Sequence, residues 1–145
     1  MTPRHQHGGA LRLDTRAQEH AFLRLDPMSM ADFVRRGEPV AASFLERARI
    51  VLMLGRPRTC VPNLLAYALG FSYTGAPASM RTLAGAVLAC CIGFAANIHN
   101  AAVELEEDSH NLPGRVWLVA KCGLGRLMSF WRLLIVGMLL TAFAL

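Results

Sequence analysis

Two long stretches without charge constrain this chain more than any other feature. Thr59–Met80 and Thr82–Val103 each run 22 residues without a charged side chain, and only Arg81 separates them. As helices, both are long enough to cross a hydrocarbon core of ~30 Å. In the first, the apolar part runs from Cys60 to about Tyr73, and Ser72 to Pro77 reads as an interfacial aromatic followed by a short turn. Asn63 and Pro62 within it suit a cavity lining or a kink. In the second, Gly85, Ala86, Ala89, Gly93, Ala95 and Ala96 allow close helix contact. A third uncharged segment, Leu133–Leu145, has 13 residues and crosses fully only if Leu127–Trp131 joins it. The chain closes on apolar residues without a polar exit, so it is expected to be the front part of a longer bundle.

With 145 residues, 54% of them hydrophobic, and a mean hydropathy of +0.36, the chain fits one membrane domain or part of one. The formal charge of +5 comes mostly from arginines ahead of Thr59. A one-sided basic flank points to a membrane surface and not to nucleic acid. Residues 1–42 are predicted to be a polar, flexible tail. His5 and His7 in it are only two potential metal ligands, and a solvated tail is the simpler reading. Within the same segment, apolar residues from Leu11 to Leu25 have loose helical spacing, and Ser29 is a candidate cap for a short helix stopped by Gly37. Order is expected from Ser43, where Ser43-Phe44-Leu45-Glu46 fits a capping box. Arg47 and Arg49 suggest an interfacial helix leading to Gly55-Arg56-Pro57-Arg58.

The predicted fold is therefore all-α: a multi-span transmembrane helical bundle of about three membrane helices over 43–145, with the polar tail in front. A water-soluble bundle whose apolar helices are wholly buried is the alternative, which a chain this short accommodates poorly. The arginines before the first span, and Arg115, Lys121 and Arg126 after the second, predict an integral protein of a plasma membrane of bacterial type. Its N-terminus and the segment after Val103 are then cytoplasmic.

That segment holds every acidic side chain after Thr59: Glu104, Glu106, Glu107 and Asp108. Ionisable groups directly after a membrane helix are costly and are functional candidates by default. If the helix continues through them, Asn97, Asn100, Glu104 and Asp108 share one face. Clustered carboxylates repel unless cations sit among them. Glu104 and Asp108, four apart, can address one ion, and oxygen ligands beside an amide favour Mg²⁺ bridging to phosphate. Glu106 and Glu107 read as solvated, pairing with Arg115 or Lys121.

Asn100-Ala101-Ala102-Val103-Glu104-Leu105-Glu106-Glu107-Asp108 resembles the first acidic motif of the UbiA superfamily of intramembrane prenyltransferases. Asn111-Leu112-Pro113-Gly114-Arg115 looks like that family's following Asn-x-Pro-x-Arg, and Arg56-Pro57 is similar to its Arg-Pro at the first span. The resemblance covers about Ile50 to Leu145. It implies transfer of an isoprenyl group from an allylic prenyl diphosphate to an acceptor the sequence does not identify. In that reading Glu104 and Asp108 hold Mg²⁺, and Asn100, Arg115 and Lys121 contact substrate. The chain departs from the pattern at Ala101, at Glu104 in place of Asp and at Val116. No acidic residue follows Asp108, so the family's second Asp-rich motif has no counterpart, and the chain alone is expected to be inactive. A non-catalytic small membrane protein, a degenerate relative or assembly partner, is the other reading.

The remaining polar residues are expected to be structural. Cys60, Cys90, Cys91 and Cys122 lack metal-ligand spacing and read as small buried side chains. His99 lies off the carboxylate face. Trp117 and Trp131 suit membrane interfaces.

Overall fold

The computed structural model describes residues 15–37, 40–75 and 77–144, and His5 and His7 lie outside them. Regular structure among the described residues is entirely helical: α1 (Thr15–Phe22), α2 (Pro27–Arg36), α3 (Phe44–Gly55), a 3₁₀ turn (Pro57–Thr59), α4 (Cys60–Ser72), α5 (Met80–Val103), α6 (Leu105–Asn111), α7 (Pro113–Cys122) and α8 (Leu124–Ala144).

Local chemistry sets the boundaries. The cap of α2 is Asp26 rather than Ser29: its carboxylate accepts the Ser29 N–H at 3.1 Å, and Pro27 opens the first turn. Gly37, at φ 69°, ends the helix as expected. Ser43 Oγ accepts the Glu46 N–H at 3.2 Å and starts α3. The first expected span is cut short. Ser72 and Thr74 hydroxyls donate to the carbonyls of Leu69 and Phe71, and Gly75 takes φ 63°, so α4 has 13 residues. That is about 20 Å of helix, against a core of ~30 Å. A reciprocal pair of bonds between Ser79 and Thr82 then caps α5.

Among the described residues, two helices are long and apolar enough to cross a membrane, against about three expected: α5 with 24 residues and α8 with 21. Leu127–Trp131 does join α8. Only 17% and 6% of their apolar windows are buried within the protein, so neither is a buried core helix. Leu83, Val87, Ile92, Leu133, Leu139 and Leu140 on them are exposed. Small residues bring α4 onto α5: a Cβ on Gly85 would strike the Tyr67 ring, and one on Gly93 the Asn63 amide. Tyr67 in turn donates to the Thr82 carbonyl at 2.9 Å.

The packed core lies at the other end. Phe22, Met30, Val34, Ile50, Leu54, Val116, Trp117 and Val119 are buried together, with Ile98 and Leu127 from the inner ends of α5 and α8. The segment expected to be a flexible tail thus contributes two helices to the core from residue 15 onward. Trp117, expected at a membrane interface, is 3% exposed and packs 5.1 Å from the Phe22 ring. Trp131 lies 4.9 Å from the His99 ring, between α5 and α8. The chain is therefore a helical head of α1–α3, α6 and α7, from which α4, α5 and α8 extend as an apolar shaft.

Candidate functional site

The acidic segment sits where the shaft meets the head. α5 stops at Glu104, whose backbone (φ −88°, ψ 30°) departs from helical values, so the helix does not continue unbroken into the acidic stretch as expected. The hydrogen-bond ladder nevertheless carries across the joint: Glu104 N–H donates to Asn100 O at 2.9 Å and Asp108 N–H to Glu104 O at 2.8 Å. The backbone thus links Asn100, Glu104 and Asp108 in turn, while their side chains range from exposed at Asn100 to buried at Asp108. Leu112, ahead of Pro113, leaves helical values (φ −141°, ψ 57°) and turns the chain into α7.

That corner brings Arg115 back over α6. Its Nη1 donates to both Asp108 carboxylate oxygens, at 2.8 and 3.2 Å, and Nη2 donates to the Asn97 carbonyl at 3.1 Å. The Asp108 and Arg115 side chains are 8% and 11% exposed. Burial pushes the Asp108 carboxyl above the ordinary aspartate range. Arg115 pulls it down, Glu104 adds to the rise, and Arg56 opposes it. Arg115 thus binds Asp108 directly, and Arg56, at the end of α3, adds a second positive charge in its neighbourhood. Arg56 is the one non-glycine at positive φ among the described residues, at φ 48°. Its carbonyl is held by the Thr59 N–H and hydroxyl, at 2.9 and 2.8 Å.

A cleft of about 400 Å³ opens beside this cluster, lined in part by Met53, Arg56, Asn111, Pro113, Gly114 and Arg115. It joins the Arg-Pro and Asn-x-Pro-x-Arg segments, which lie far apart in sequence. Arg115 Nε is buried there without a partner among the described residues.

Of the candidate residues, the structure joins Asp108 to Arg115, with Glu104 one turn before Asp108 on the backbone. Asn100 is exposed, and Glu104 is half-buried. Lys121 lies apart, bound to Glu46 across α3 and α7. Glu106 pairs with Arg35 of α2 at 2.6 Å rather than with Arg115 or Lys121, and Glu107 is exposed. Two carboxylates on successive turns suit an ion that keeps most of its waters and takes other ligands from phosphate. Among the described residues, no group of three or more His, Cys, Asp or Glu side chains is placed to hold a metal unaided.

Two roles escaped the sequence. Asn97, on the polar face, is a clamp: its amide donates to Gly93 O, Thr59 Oγ1 and Gly55 O at 2.8, 2.7 and 3.3 Å. Arg56 lines the same cleft as Arg115 and adds positive charge near Asp108, which the Arg-Pro pair alone did not reveal. Compared with known protein families, with curated proteins and with solved structures, the chain matches none.

Proposed function

We propose that this is an integral membrane protein carrying the diphosphate-facing half of a UbiA-type prenyl-transfer site. The observation that carries the reading is the cleft shared by Arg56 and Arg115, whose guanidinium also binds Asp108. The two guanidinium groups bind the diphosphate of an allylic donor and stabilise the charge that builds on it as the C–O bond breaks. Glu104 and Asp108 would hold Mg²⁺, which when bound supplies further charge stabilisation. Asn100 adds a neutral polar group on the exposed side. Lys121, tied to Glu46, is a positioning residue for α7 in this reading. The groove of about 510 Å³ between α5 and α8, lined by Leu83, Val87, Leu134 and Met138 among others, offers an apolar path for the far end of the isoprenoid. The arginine-rich head and the acidic joint face the cytoplasm of a bacterial-type plasma membrane, and the Pro77 turn faces outward.

A second reading has an observation of its own. Asp108 is spent on Arg115 and Lys121 on Glu46, so the same residues also serve as ties between helices of a non-catalytic membrane protein. Binding of farnesyl diphosphate to the detergent-purified chain, with and without Mg²⁺, separates the two. Saturable Mg²⁺-dependent binding that is lost in Glu104→Ala and Asp108→Ala is expected, without turnover by this chain alone. Binding indifferent to both substitutions removes the site and leaves the second reading.

A further inference from the structure

A second cavity, of about 310 Å³, lies on a different side of the head, where α3 meets the junction of α7 and α8. Its lining includes Arg47, Lys121, Arg126 and the corner residues Gly123, Leu124 and Gly125. Among the described residues, three cations border it, and one of them, Lys121, is bound to the Glu46 carboxylate. Neither Arg47 nor Arg126 has an acidic partner within ion-pair distance among the described residues, and Arg47 Nε is buried without an acceptor. Both guanidinium groups act on the buried Cys122 thiol, opposing the upward push of its burial. The backbone adds donors. Gly123, at φ 84°, turns the chain into α8, and the first amide to return a helical bond is that of Leu127, to Gly123 O at 3.0 Å. The amides of Leu124, Gly125 and Arg126 therefore have no acceptor within the helix.

From this cavity we infer that Arg47, Arg126 and the Gly123–Gly125 corner form a binding site for the phosphate of an anionic phospholipid. The lipid source follows from what lies below. The cavity sits at the start of α8, the less buried of the two long apolar helices, whose exposed Phe130, Val136 and Leu140 lie outside the α5–α8 groove and are open to acyl chains. A phosphate held at the corner leaves its chains along that helix. The site is separate from the cleft of Arg56 and Arg115 and does not depend on prenyl transfer.

Native mass spectrometry of the detergent-purified chain tests it, with dioleoylphosphatidylglycerol or dioleoylphosphatidylcholine added. The expected result is retention of one phosphatidylglycerol with about tenfold preference over phosphatidylcholine, falling to the phosphatidylcholine level in Arg47→Gln/Arg126→Gln. Arg47→Lys/Arg126→Lys should restore part of the preference, and unchanged circular dichroism shows that the variants fold. Farnesyl diphosphate binding should be unaffected in both, keeping the two sites distinguishable. Equal retention of the two lipids, or a preference that survives Arg47→Gln/Arg126→Gln in a folded protein, overturns the proposal. So does binding of inorganic phosphate at this corner with no lipid preference, which identifies a free-anion site instead.

Discussion

Asp108 and Arg115 decide how the acidic segment behaves as single residues. Breaking a buried pair leaves one uncompensated charge, whereas replacing both members with apolar groups is often tolerated. Arg115→Ala should therefore cost about 3–5 kcal/mol in thermal or denaturant unfolding in detergent. Asp108→Leu/Arg115→Met should recover most of that loss. If the single and double variants are equally unstable, the pair is not the source of the effect. Asp108 was legible as a candidate because its four-residue spacing from Glu104 is a property of the helix alone. Its partner was not, since Arg115 reaches it only through the corner at Leu112–Pro113, and nothing in the spacing of seven says which way that corner folds. The same holds for Arg35 and Glu106, 71 positions apart.

Helix lengths and contacts belong to the next scale. The small residues of α5 did foretell close packing, and Gly85 and Gly93 are where α4 approaches. The reach of α4 was hidden, because an uncharged run does not say where a helix stops. Hydroxyls of Ser72 and Thr74 and the Ser79–Thr82 cap made that choice. Contact between α4 and α5 has a direct check. Cys60 Sγ donates to Cys90 O at 3.4 Å and Cys90 Sγ to Cys60 O at 3.9 Å, so the two thiols are neighbours. A short bifunctional thiol reagent should link them in membranes, and Gly93→Leu, forcing α4 away, should slow the linking severalfold and cost about 1–3 kcal/mol of stability. Linking at the same rate in Gly93→Leu counts against this packing.

Over the whole molecule, charge and burial divide the chain into two materials. The head buries a mixed core, and the shaft leaves its large apolar side chains uncovered. The head's N-terminal share was illegible because Phe22, Met30 and Val34 are sparse in a charged background and acquire meaning only against Trp117, far along the chain. Single cysteines introduced into a variant lacking the native thiols should report the orientation. One at Ala78 should react with an impermeant maleimide from outside intact cells, and one at His110 only after lysis. The reverse pattern turns the assigned topology over.

The brevity of α4 carries one more consequence. If α5 stands across a bilayer, its partner covers roughly 20 Å of that depth. The Asn97 amide and the Thr59 hydroxyl it holds then meet α5 about 10 Å short of Glu104. Lipid on that side has to sag toward them, a dimple in one leaflet that lets water and polar headgroups descend beside the shaft.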